Sequence, residues 1–227
     1  MLLPSYLIPA FAAFVSFLAI FIPYLVHVLS GRARTWLPLI SEINLTKNTT
    51  ERGTMFVLLL IAYGLDILSG FLMYFSNTLQ FHTHRNNSLF KTVCFVLFSG
   101  STTCFLVRFF FNKCENVILH GILTVSSGAL FLSWSFLSLH TVCSKLLLIR
   151  YAIATSTMFS LIYAVYAVLK ATYLYPVAFE QCDFAIGDYV FIEVALNEYF
   201  LYISFCLYLG LFALDMKSYE ERLSKED

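Results

Sequence analysis

Charge is what this sequence has least of. Only 12% of its 227 residues are Asp, Glu, Lys or Arg, while 59% are apolar; an ordinary soluble domain carries roughly 25% charged residues. With 24 phenylalanines and a mean hydropathy of +0.79, the chain has more apolar surface than one soluble core of this length can hide. That excludes a soluble globular protein and points to an integral membrane protein. Neither sign of charge is in excess, since the formal net charge is zero. Nothing therefore draws the chain to nucleic acid or to a strongly anionic surface at long range, and the expected partners are membrane lipids and other membrane proteins. The six cysteines include no Cys-x-x-Cys pair and no histidine spacing of a zinc site, so no metal or other cofactor is expected. There is no internal repeat, no low-complexity stretch and no long linker, so residues 1–227 read as a single polytopic membrane domain.

What the chain does have is long apolar runs. A helix needs roughly 20 mostly apolar residues to cross the hydrocarbon, and six segments qualify: Leu7–Leu29, Thr54–Phe75, Leu89–Phe111, Val117–Leu139, Leu146–Leu169 and Val190–Leu214. Backbone groups in lipid must pair within their own segment, and these runs are too long for barrel strands, so helices are required. The first run has no Lys or Arg before it, exceeds a signal peptide's apolar core and contains Pro9 and Pro23; it reads as a retained span, kinked near Pro23. The expected fold is an all-α, six-helix transmembrane bundle whose luminal cap is formed by the first and fifth connections.

Six spans put both termini on one side, and the fourteen Lys and Arg divide equally between the two faces, so the positive-inside rule does not orient the chain. The first connection carries two glycosylation sequons, at Asn44 and Asn48, and glycosylation is luminal; this assigns the termini to the cytosol. Cys114 and Cys182 lie in two connections of the sequon side. They can form a disulfide in an oxidising lumen or remain two free thiols. The tail Asp215–Asp227 is short, mixed in charge and free of sorting signals, so the compartment is not written there.

Ionisable groups inside spans are costly and invite a functional hypothesis. Asp66 lies at the middle of the second span. At its depth stand Ser101 and Thr102 of the third span, Ser126 and Ser127 of the fourth, and Thr155 to Ser160 of the fifth. This layer suits close helix packing with Asp66 protonated or satisfied by those hydroxyls; it also suits a proton or ion path. A second group, His120, Glu193 and Glu198, gathers at the predicted luminal ends together with Glu42 and Glu51 of the first connection. His120 and Glu198 have the residue types for acid–base acyl transfer, and equally for a pair that fixes the loop over the helices. No nucleophile motif accompanies them, which ranks a non-enzymatic role first. Arg108, His27 and His140 are expected to snorkel to the interface, and Tyr24, Trp36, Trp134 and Tyr173 to sit near span ends or packing faces.

The run Tyr24–Glu42, YLVHVLSGRARTWLPLISE, resembles the first span and loop of the damage-regulated autophagy modulators (DRAM proteins). That six-span family also includes the post-GPI-attachment lipid-remodelling factors and a plasma-membrane branch linked to phosphoinositide kinase and lipid asymmetry. The resemblance is carried by Leu29-Ser30-Gly31, by Leu37-Pro38 with Ile40-Ser41-Glu42, and by Glu51 and Phe56. It continues through Phe111-Asn112, His120 and Gly128-Ala129 to Asn197-Glu198-Tyr199 and Leu214-Asp215. Asp66 departs from the family's small apolar residue, and the region of Cys182 has some character of the GPI-remodelling branch. The resemblance implies a non-enzymatic modulator of autophagy or lipid organisation in lysosomal or endosomal membranes. It alternatively implies a Golgi or ER factor for GPI-anchor lipid remodelling, with His120 and Glu198 as catalytic candidates. A small transporter using Asp66 ranks last.

Orientation is directly testable. Enzymatic deglycosylation should increase the gel mobility of the protein from cells, and the double substitution Asn44→Gln/Asn48→Gln should abolish that shift. A protease site attached to the C-terminus and cut only from the lumen would overturn the assignment.

Overall fold

The computed structural model describes residues 4–31, 40, 49–75, 88–110, 117–139, 146–174 and 188–226. They form six long helices, α1 (Leu7–Leu29), α2 (Thr49–Phe75), α3 (Ser88–Arg108), α4 (Val117–Leu139), α5 (Leu147–Leu174) and α6 (Asp188–Glu226). All six are long and apolar enough to cross a membrane. The described part of the protein is thus an all-α, multi-pass membrane fold. Trp36, Pro38, Ser41, Glu42, Asn44 and Asn48 of the first connection and Cys182 of the fifth lie outside the described residues, as do Cys114 and His140.

Each helix packs against its neighbours in the chain, and α6 closes back on α1, so the six form a ring. Contacts across α2 and α3 run in opposite order, Phe56 with Phe110, Tyr63 with Thr103 and Phe71 with Phe95, as antiparallel neighbours require. One ring end holds the termini and the other the first connection. Helix α1 continues through Pro23 and ends at Ser30-Gly31. There Gly31 adopts φ 70°, a left-handed conformation that glycine reaches without steric cost. Ser30 Oγ donates to the His27 carbonyl at 3.0 Å. Ser30 and Gly31 thus serve to stop a helix.

The termini end of the ring is filled with aromatic side chains. Phe98, Phe131, Trp134 and Tyr208 are buried together, with the ring centres of Phe98 and Trp134 4.8 Å apart and those of Trp134 and Tyr208 5.1 Å apart. Such contacts gain about 0.5–1.5 kcal/mol each beyond area burial. The Tyr208 hydroxyl donates to the Ser135 carbonyl at 2.6 Å and lies 2.6 Å from Ser138 Oγ. Arg150 of α5 lies against the Tyr208 ring, 4.9 Å from its centre, and is ion-paired with Asp215 of α6. Asp215, an acidic residue of the family resemblance, therefore balances a fully buried guanidinium.

Small and hydroxylated residues bring α3, α4 and α5 together. Ser101 Oγ donates to the Ser127 carbonyl at 2.9 Å, and Ser127 Oγ returns a bond to the Ser101 carbonyl at 3.0 Å. At Gly128 an added Cβ would stand 2.8 Å from Leu161 Cδ1, so the absence of a side chain sets the approach of α4 to α5.

Several expectations are corrected. Helix α6 runs through Asp215 to Glu226 instead of ending in a short tail. Nothing in Met216–Glu226 breaks a helix, Lys217 pairs with Glu221 one turn on at 3.9 Å, and Ser5 bonds to Glu220. Helix α3 ends at Arg108, not Phe111, in a turn at Phe109 and Phe110. His27 and Arg108 do not snorkel outward: they are 2% and 4% exposed. Their end of the bundle is covered, since Ile40 packs fully buried against Ile20, Met55, Leu106 and Phe109. Trp134 lies at a packing face in the core, as one of the expected positions allowed, and Tyr173 is exposed near the end of α5.

Stranding one charge of a buried pair costs about 3–5 kcal/mol, while replacing both with apolar groups is often neutral. Arg150→Met is therefore expected to lower the stability of the purified protein by that order, and Arg150→Met/Asp215→Leu to recover most of the loss. A double variant whose loss, measured by thermal unfolding, equals the sum of the losses of Arg150→Met and Asp215→Leu alone would show that the pair is not coupled.

Candidate functional site: a cavity in the first-loop half of the bundle

The half of the ring opposite the aromatic plug is not filled. Between the helices lies a cavity of about 310 Å³, at the low end of the roughly 300–1,000 Å³ usual for small-molecule sites. Its walls are mainly apolar, with Leu59 and Ala62 of α2, Leu106 of α3, Val125 of α4, Val165 and Val168 of α5 and Leu201 and Phe205 of α6 among them. Phe131 belongs both to this lining and to the plug, so the plug forms the floor.

The polar groups of the cavity fall at two depths. The deep group is Ser16, Asp66, Ser101, Thr102 and Ser127, the layer expected halfway across the membrane. Among the described residues no hydroxyl bonds to Asp66 Oδ1, so of the two arrangements expected there the hydroxyl-satisfied one is not the one seen at this oxygen. Ser101 and Ser127 bond to each other's carbonyls, Thr102 Oγ1 donates to the Ser99 carbonyl at 3.0 Å, and Tyr63 and Thr103 hydroxyls meet at 3.2 Å. Asp66 is 5% exposed, and its Oδ1, like the Ser16 Oγ, has no hydrogen-bond partner among the described residues. Helical serines and threonines satisfy local carbonyls first, which leaves the carboxyl facing the cavity.

The shallow group is Arg108, His120, Thr124 and Glu198. His120 and Glu198 thus share a cavity, as the two catalytic candidates would need. Glu198 is already engaged structurally, because its Oε2 accepts the backbone N–H of Ile40 at 3.0 Å. That bond joins two residues 158 apart in the chain and fixes Ile40 of the first connection against α6. The third acidic candidate, Glu193, stands apart from the cavity and pairs with Lys170 at 3.3 Å. Arg108 is the residue whose place the sequence conceals. Its guanidinium lies 4.4 Å from the Phe105 ring centre and 4.9 Å from that of Phe109. Toward α4 it makes a long bond of 3.4 Å to Thr124 Oγ1, and Nε has no partner among the described residues. Position at a helix end suggests snorkelling, and only tertiary packing turns the side chain inward. Tyr202, also unmarked in the sequence, lines the same wall and ties α6 to α1 by donating to the Ser16 carbonyl at 2.7 Å.

Among the described residues no group of three or more His, Cys, Asp or Glu side chains is placed to hold a metal ion. The cavity therefore offers apolar enclosure, a carboxyl at its deep end, and a cation, an imidazole and a second carboxyl near the membrane surface. Fold and cavity define a six-helix membrane protein with an intramembrane pocket. No protein-family model, curated protein or solved structure matches the chain.

Because Asp66 Oδ1 makes no hydrogen bond among the described residues, Asp66→Asn is expected to leave cellular abundance and thermal stability within about 1 kcal/mol of the parent. A collapse in abundance like that expected of Arg150→Met would instead make Asp66 part of the packing.

Proposed function

We propose that the protein binds a membrane lipid within its bundle and acts without catalysis, as a modulator of lipid organisation in lysosomal or endosomal membranes of the DRAM kind. The observation that carries this reading is the cavity, which is apolar for most of its wall and holds Arg108, His120 and Glu198 at the depth of the first-loop helix ends, with Asp66 and hydroxyls at its deep end. The apolar wall suits a lipid chain, and the shallow cation suits a headgroup. The ordered resemblance at Ser30-Gly31, Ile40, Glu198 and Asp215 supports the family assignment, and those described residues have coherent structural roles in stopping α1, anchoring the first connection and balancing Arg150.

The alternative is a Golgi or ER factor for GPI-anchor lipid remodelling, favoured by the presence of His120 and Glu198 in one cavity. Engagement of Glu198 by the Ile40 N–H weighs toward the non-enzymatic reading, because a carboxylate held as an acceptor is less free to exchange a proton. Knockout cells separate the two. Altered autophagic flux with normal GPI-anchor lipid composition is expected. Unchanged flux with unremodelled anchors and depleted surface GPI-anchored proteins would establish the alternative instead.

A further inference from the structure

We propose that the cavity admits one acyl chain of an anionic phospholipid sideways, between α4 and α5, and that Arg108 receives the lipid's phosphate. This rests on the lipid-binding reading above and names the ligand class and its route.

The route follows from where the cavity wall is incomplete. The lining residues of α2, α3 and α6 are buried or half-buried, whereas Val125 of α4 and Val165, Val168 and Leu169 of α5 line the cavity and are exposed on the bundle surface. Residues that do both stand at the rim of an opening. Gly121, also in the lining, has open space beside it, since a Cβ added there would meet nothing within 4 Å. An opening between two spans faces lipid, so a chain can move from bilayer to cavity without crossing water. At about 310 Å³ the cavity is small for a whole two-chain lipid, and a second chain would stay in the bilayer outside the gap.

The headgroup follows from Arg108. It is the last residue of α3, at the depth where a phosphate lies when its chain points toward the plug. Its guanidinium is desolvated and lies against two aromatic rings, with Nε unpartnered among the described residues. The groups facing it from other helices are His120 and Thr124 of α4 and Glu198 and Tyr202 of α6. Glu198 attracts it through space, yet no ion pair among the described residues includes Arg108, and one Glu198 oxygen is held by Ile40. A buried cation without a close counter-ion is costly, and a planar guanidinium with free N–H groups fits phosphate oxygens in a fork.

The test uses purified full-length protein in a neutral detergent and three probes: oleoyl lysophosphatidic acid, the monoacylglycerol with the same chain, and inorganic phosphate. Affinities are read from thermal-shift titrations. The lysophosphatidic acid is expected to bind roughly tenfold or more tightly than the monoacylglycerol, the scale of a hydrogen-bonded charged group, and phosphate alone to give no shift. Arg108→Gln should reduce lysophosphatidic acid to the affinity of the monoacylglycerol, Arg108→Lys should retain part of the preference, and Val165→Trp should weaken both lipids. If Arg108→Gln does not fold, the probe comparison on the parent protein and on Arg108→Lys decides. Equal binding of the two lipids would overturn the phosphate assignment and leave the lipid cavity standing. A shift with phosphate as large as with lysophosphatidic acid would assign the site to a free anion and overturn the chain. Failure of all three probes to bind would overturn the lipid-binding reading itself.

Discussion

Six helices closed into a ring leave a space along their axis, and in a membrane no water is available to fill it cheaply. Side chains must do so, and the two halves of this bundle meet that constraint differently. Near the termini, α6 supplies Tyr208, which together with Trp134, Phe98 and Phe131 occupies the axis completely. Roughly two turns closer to the first connection, α6 presents Tyr202 and Glu198, the opposite walls offer Gly121, Val125 and Ala62, and the axis stays open. The plug gives the cavity its floor and keeps the helices in place around a void that would otherwise favour their collapse.

That division explains the unequal treatment of buried charge. Arg150, in the filled half, is matched by Asp215 and stacked on Tyr208, the arrangement expected where a charge is structural. Asp66 and Arg108, in the open half, take part in no ion pair among the described residues, although an unpartnered Nε is common to Arg108 and Arg150. A protein built only for stability gains nothing from such groups, whereas a binding site needs them uncommitted before its ligand arrives.

The spans were legible because hydrophobic length is a local property: the ends of α1 and α4 coincide with the expected residues. Asp66, His120 and Glu198 were also legible, since an ionisable residue in an apolar run stands out without knowledge of its neighbours. What stayed hidden depends on contacts between distant segments. Arg108 and His27 sit at span ends, where sequence favours snorkelling, and only tertiary packing, in which Ile40 joins the core of that end, makes them interior. Arg150 and Asp215 are 65 residues apart, and nothing local marks them as a pair. The continuation of α6 to Glu226 was missed because its last turns are polar, and hydropathy reports where a membrane ends, not where a helix does.

Closure of α6 on α1 also dictates the order of assembly. The chain is inserted from its N-terminus, so α1 waits in the bilayer through the synthesis of the four following helices before Tyr202 reaches the Ser16 carbonyl, 186 residues away in the chain. Until then the flanks of α1 and α5 that α6 will cover face lipid, and Arg150 lacks the Asp215 that neutralises it. A chain that stops before Asp215 therefore leaves the Arg150 guanidinium without the counter-ion that the complete ring supplies.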